Sequence, residues 1–296
     1  MTDPADAPLP AFTEHWVSRD HGRVYVRDFP GRAPAFVMLH GFPDNSRIYD
    51  ALIPHLISAG RRVVGIDFLG FGASDKPEGA CYGFKQQLGD LEAVVDALGL
   101  QKVVPVGHDA GGPAAVNFAL KYPDRTASVT LMNAFYGDAP GLRVPEFIEL
   151  FATKSLKSLH RHFLESPQQF AWLLEFQRDQ MQAGLTERQK ARYRDFLGPV
   201  IDGNFRQRPS AGPAFQQMTY QLSDEVSANS AHIVDLRRVT LPFLFIWGKS
   251  DPYLHVTVAE YMRSQLMNAT LHLLDAGHWP QIDEPAEVAR IMLGIS

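Results

Sequence analysis

Only one cysteine, Cys81, stands among the 296 residues, which excludes an internal disulfide and a thiolate metal cluster. The fold must therefore rest on packing alone, and a reducing, cytoplasmic setting fits that usage. Positive charge is scarce as well. With 28 Lys and Arg against 33 Asp and Glu, the chain carries a net charge of -5 and no basic run that could track a phosphate backbone, so nucleic acid is not an expected partner. No window reaches the roughly 18–20 consecutive apolar residues of a membrane span, so no membrane partner is expected. No Gly-x-Gly-x-x-Gly opens a helix after the first strand, which argues against a dinucleotide cofactor. Histidines are scattered; the nearest pair, His160 and His162, would point apart on a helix at that spacing, so neither cofactor nor metal is expected. The opening MTDPADAPLP lacks the charged-then-apolar order of a secretory signal and reads as a loose arm.

What remains is enough chain for one large or two small domains, at an average globular composition. The segment His15 to Phe29 alternates apolar and polar residues around Asp20-His21-Gly22, the pattern of a hairpin. Then the pattern changes. Ala35–Leu39, Arg62–Ile66, Lys102–Val106 and Ser128–Met132 are short Val/Leu/Ile-rich runs without alternation, as strands buried on both faces should be. Helices are expected between them, near Arg47–Ala59, Phe84–Leu98 and Pro113–Tyr122. After Asn133 about a hundred residues show helical spacing, many aromatics and no convincing strand. The alternation resumes with strands at Pro242–Trp247 and Thr270–Leu274 and helices near Val256–Leu266 and Ala286–Leu293. This predicts an α/β fold built on a mostly parallel sheet, its core formed by residues 11–138 and 239–296. A helical insertion, 139–238, would lie as a lid over the strand C-terminal ends.

Three motifs carry chemistry. Val104-Pro105-Val106-Gly107-His108-Asp109-Ala110-Gly111-Gly112 is a strand ending in Gly-x-Asp-x-Gly and opening a helix, the nucleophile-elbow pattern with Asp in the place of Ser. His40-Gly41-Phe42-Pro43 follows the third strand, where backbone N–H groups, here those of Phe42 and Ala110, can form an oxyanion hole. Asp251, after the seventh strand, and His278, after the last, complete the order nucleophile, acid, histidine. An ionised carboxylate needs no base before it attacks. Attack on a carbonyl would give only a labile anhydride, whereas attack on a saturated carbon gives an ordinary ester, so the electrophile should be an epoxide or an alkyl halide. His278, oriented by Asp251, would then activate water against the Asp109 ester.

Taken together, these motifs resemble the α/β-hydrolase fold superfamily over nearly the whole chain, and within it the aspartate-nucleophile branch of epoxide hydrolases and haloalkane dehalogenases. The stretch Asp67-Phe68-Leu69-Gly70-Phe71-Gly72-Ala73-Ser74-Asp75-Lys76-Pro77 and Gly277-His278-Trp279 add to the likeness. The resemblance implies an eight-stranded sheet with an inserted helical cap, and a small apolar epoxide or halide plus water as partners. An epoxide oxygen leaves as an alkoxide and needs a proton, which the family supplies from lid tyrosines; Gln217-Met218-Thr219-Tyr220-Gln221 resembles the segment that bears one, which implies Tyr220. The family's second tyrosine falls on Glu175, and Glu175, His160, His162 and Tyr193 all remain open as the partner of Tyr220. His40, Pro43, Trp172, Glu175 and Trp279 are expected to contact substrate. The Trp and Asn side chains that hold halide in dehalogenases would fall on Ala110 and Phe42, so conversion of an epoxide to a vicinal diol is the first reading and dehalogenation the second. A small Ala110 should also make room for a bulkier substrate. A non-catalytic binding protein on the same fold is the third reading, and a homodimer is compatible with an apolar cap surface.

Overall fold

The computed structural model describes residues 8–295, so the arm expected at the N-terminus falls, as far as Ala7, outside the described residues. Strands β1 (Thr13–Arg19) and β2 (Gly22–Phe29) form the expected hairpin, in which Arg19 pairs with Gly22 across a two-residue turn. Next come β3 (Arg32–Leu39), helix α1 (Ile53–Ser58), β4 (Arg61–Asp67), α2 (Phe84–Ala97), β5 (Val103–Asp109), α3 (Gly111–Lys121) and β6 (Val129–Ala134). After a long helical stretch the chain returns as β7 (Phe243–Gly248) and β8 (Ala269–Leu274). All eight strands lie in one sheet of order β1-β2-β4-β3-β5-β6-β7-β8, parallel from β4 to β8 and antiparallel at β1 and β2. Every residue of β6 and β7 is buried, as two helix-covered faces require. The single helix expected over Arg47–Ala59 is instead a short 3₁₀ turn, Ser46–Tyr49, followed by α1. Pro54 explains the break, because proline lacks an N–H and fits only the first turn of a helix.

The strand order reverses at β3: β4 lies on one side of it and β5 on the other. The loops after β3 and β5 are therefore neighbours, and open α/β sheets bind ligands at such a point. His40-Gly41-Phe42 and Asp109 meet there.

Between β6 and β7 run α4 (Glu146–Ala152), α5 (Lys157–Glu165), α6 (Pro167–Gln180), α7 (Glu187–Arg192), a π-helical turn (Tyr193–Leu197), α8 (Gly198–Arg206), α9 (Gly212–Ala231) and α10 (Ile233–Leu236). Five phenylalanines hold these helices together: the Phe147 and Phe215 rings stack at 4.7 Å, and Phe151, Phe170 and Phe205 pack edge-on around them. Each such ring taken from water contributes roughly 1.5–3 kcal/mol. Polar side chains of the stretch then cap backbone groups of the sheet loops. Asn204 donates to the carbonyls of Pro43 (2.6 Å) and Asp44 (3.0 Å) and accepts from Gly72 N–H (2.8 Å), while Glu225 accepts from Phe84 N–H at 2.9 Å. These bonds tie the helices to the loops after β3 and β4. The chain closes with α11 (Val256–Ser264), α12 (Pro280–Asp283) and α13 (Pro285–Ile295). Among the described residues, no helix is long and apolar enough to cross a membrane.

Candidate active site

Asp109 ends β5 with φ of 49°, a left-handed conformation that costs an L-residue energy and lifts its side chain out of the turn. Close approach explains the flanking glycines. A Cβ on Gly111 would sit 2.3 Å from the Leu39 carbonyl oxygen, and one on Gly41 would sit 2.3 Å from Asp109 Oδ2. The backbone N–H groups of Ala110 and Phe42 both donate to the Asp109 carboxylate.

His278 lies across from it, with Nε2 4.0 Å from Asp109 Oδ1 and Nδ1 donating to Asp251 Oδ2 at 2.6 Å. Asp251 is buried, and its carboxylate also accepts from Tyr253 N–H (2.9 Å), Leu254 N–H (3.0 Å) and Asn133 Nδ2 (2.8 Å). Burial opposes its charge, but His278 and these donors hold the carboxyl below its ordinary value. His278 is pushed the other way: burial lowers it, and the charges of Asp251 and Asp109 outweigh that and raise it to about 9. Burial raises Asp109 above the usual carboxylate range, against the pull of His278 and the two N–H groups.

The raised His278 makes stability depend on pH. A group whose pKa rises on folding stabilises most below its unfolded value, near 6.5, and loses that contribution as pH climbs through about 9. The melting temperature of the wild type is expected to fall toward that of His278→Gln between pH 7 and pH 9.5, as read by thermal scans; a constant gap would contradict the ion pair.

Phe42, Pro43, Asp109, His278 and Trp279 line one cavity of about 620 Å³, closed on the far side by α4, α6, α8 and α9. Its walls are mostly apolar, and charged side chains such as Arg143 and Glu149 join them. Ala110 is buried beneath the elbow.

Four other expected contacts are corrected. His40 is fully buried behind the loop rather than in the cavity: its Nε2 accepts from Phe68 N–H at 3.0 Å, so Nδ1 carries the proton and donates to the Gly41 carbonyl. It braces Gly41 and Phe42 from below. Trp172 is 59% exposed and stacks on Phe176, and Glu175 is also exposed. The buried face of α6 carries Phe170, Leu173, Leu174 and Gln177; Gln177 lies about 200° around the helix from Glu175, and it is Gln177 that reaches the cavity. Tyr220 is not part of the cavity lining either, to which α9 contributes Leu222, Ser223 and Val226. The Tyr220 hydroxyl pairs with His160 Nδ1 at 2.9 Å. Tyr220→Phe is therefore expected to keep kcat/KM within about two-fold while losing about 1 kcal/mol of stability with that hydrogen bond, to be checked by steady-state kinetics and denaturant titration. Of the other open partners, Tyr193 donates to Asp283 Oδ2 at 3.2 Å behind Gly277, and His162 is exposed on α5.

Several site residues were not singled out from the sequence. Asn133, in a left-handed conformation near the end of β6, accepts from Gly248 N–H (2.7 Å) and so fixes the loop that carries Asp251. His108 Nε2 donates to the His278 carbonyl at 2.8 Å. Asp44, beside Pro43, is buried with Oδ2 on Trp279 Nε1 (2.9 Å); burial, with the Asp109 charge adding to it, raises this carboxyl to about 7. Tyr253 and Gln177 line the cavity opposite. For Asp44 and Tyr253 the available signal was adjacency to motif residues.

Such an arrangement can hold an anion on Asp109, stabilise charge on its oxygens and present a histidine to a water near its carboxyl carbon. A family model described as alpha/beta hydrolase fold matches residues 34–285. The chain is similar to bifunctional epoxide hydrolase 2 of Sus scrofa, 28% identical over 89% of this chain but spanning only 51% of that protein. It is similar, at 27% identity, to haloalkane dehalogenase 2 of Mycobacterium bovis, over 97% of this chain and 96% of that one. Among solved structures, a thermophilic esterase from Thermogutta terrifontis superposes with a TM-score of 0.74 at 19% identity, over 96% of this chain and 97% of that one, a likeness of fold.

Proposed function

We propose, from the premise that this chain belongs to the alpha/beta hydrolase fold family and is a hydrolase of it, that it opens epoxides to vicinal diols through a covalent ester on Asp109. The observation that carries the proposal is a carboxylate, not a hydroxyl, at the tip of the elbow, under two backbone N–H groups and facing a His–Asp pair. A carboxylate makes a hydrolysable ester only from a saturated carbon. Asp109 would attack an epoxide carbon, and the ring oxygen would leave and be protonated. His278 would then take a proton from water as that water adds to the ester carbonyl, and the N–H groups of Phe42 and Ala110 would hold the oxyanion. Residues 139–238 would act as the cap over this chemistry, and the cavity they close suits a bulky, mostly apolar epoxide.

A halide leaving group is the second reading, favoured by the likeness to a dehalogenase. Against it, the side chains after Asp109 and after Gly41 are Ala110 and Phe42, which carry no N–H, and Trp279 Nε1 is already given to Asp44. The test offers an aryl epoxide and a bromoalkane of similar size, and measures diol and bromide. A single turnover in heavy-oxygen water should put the label into the Asp109 peptide and not into the diol. Label in the first-formed diol would mean direct attack by water, and bromide without diol would mean dehalogenation.

A further inference from the structure

We infer that Tyr253, on the loop after β7, gives the epoxide oxygen its proton, with Gln177 and Arg143 placed to hold the phenolate that results. This deepens the epoxide reading and rests on it. The argument begins with direction. Attack by Asp109 on a ring carbon expels oxygen from the opposite side of that carbon, toward the helices that roof the cavity. Asp44 lies on the wrong side, in the loop after β3 beside Asp109, with Trp279 on its carboxylate.

On the roof side most donors are committed. Arg178 pairs with Asp202 at 2.6 Å, and Thr153 donates its hydroxyl to the Glu149 carbonyl at 2.8 Å. Tyr253 differs. It is buried in the cavity wall, and its hydroxyl reaches up to two roof helices, accepting from Gln177 Nε2 of α6 at 2.9 Å and donating to the Glu146 carboxylate of α4. Phenol is far more acidic than the alcohol that the opened epoxide becomes, with an ordinary pKa near ~10. Burial and Glu146 push this one up to about 12, while the Gln177 bond and the Arg143 charge pull it down. The Arg143 guanidinium stands 5.6 Å over the ring. Glu146 is exposed at the cavity edge, so its carboxylate can turn to water and release the phenol proton to the substrate.

The step balances. A bond forms from Asp109 Oδ to carbon, the ring C–O bond breaks with its electron pair on oxygen, and the Tyr253 proton passes to that oxygen. Ester hydrolysis consumes one water and leaves one proton when Asp109 ionises again, and that proton restores the phenol.

The experiment is run in a His278→Gln background, where only ring opening is observed, by following adduct mass on Asp109 over time. His278→Gln itself must form an adduct with the aryl epoxide; if it does not, the epoxide reading fails. If it does, adding Tyr253→Phe should slow adduct formation by about 100-fold or more. That loss should shrink for a trifluoromethyl epoxide, whose alkoxide is a weaker base. Replacing Tyr253 with a ring-fluorinated tyrosine, which keeps the shape, should change the rate with the acidity of the phenol. An unchanged rate in Tyr253→Phe, or an equal loss for both epoxides, would overturn the assignment while leaving the epoxide reading intact.

Discussion

Asp109→Ala is expected to reduce turnover by at least about 10⁴-fold, with no covalent adduct under any condition. The size follows from the role. Without the carboxylate there is no atom to form the ester, and His278, 4.0 Å away, is left facing a methyl group with no acyl carbon for water to attack. The fold should survive: Ala is small enough for the elbow, and the change removes a buried carboxyl that burial and Asp251 both destabilise. Circular dichroism and a thermal scan should therefore resemble the wild type while product formation is lost. Multiple turnovers by folded Asp109→Ala would refute the ester mechanism for every substrate class.

His278→Gln should behave differently, forming one equivalent of ester quickly and hydrolysing it about 10³-fold more slowly or worse. In the resting site His278 holds a proton because Asp251 and ionised Asp109 raise it to about 9. Alkylation neutralises Asp109. The histidine then loses one of the charges that kept it protonated, its pKa falls, and it becomes a base at the moment a base is needed. Glutamine can keep a hydrogen bond to Asp251 but cannot take a proton from water. Intact-protein mass spectrometry after mixing with an aryl epoxide should show a stable addition of the whole epoxide, mapping to the peptide that contains Asp109. Rapid multiple turnover by this variant would mean that another group activates the water.

Much of this site was legible along the chain because its constraints are local. The glycines around Asp109 follow from a turn in which Gly111 meets the Leu39 carbonyl. The loops that carry Phe42 and Asp251 follow β3 and β7, whose apolar runs mark burial on both faces, while the loop that carries His278 follows β8, the half-exposed strand at the sheet edge. The helices between β6 and β7 were another matter. With apolar residues around much of their circumference, α6 and α9 do not announce which face turns inward, and a displacement of two residues carries a side chain from cavity to solvent. Glu175 and Tyr220 come from a resemblance of short segments, which gives a position along the chain but not the rotation of its helix, and it is Gln177 and Leu222 that line the cavity. His40 was misplaced for a related reason: its partner, the Phe68 N–H, lies 28 residues away and becomes a neighbour only through the pairing of β3 with β4.

From the sequence alone came the alternating α/β order, the Asp elbow and the chain order Asp109, Asp251, His278, all set by short-range sterics and burial patterns. Tertiary structure decided which side chains share the cavity. Helix rotation and loop meeting points depend on packing between segments far apart in the chain, and only that packing brings Asp44 to Trp279, Asn133 to Asp251, and Tyr253 to Gln177 and Glu146.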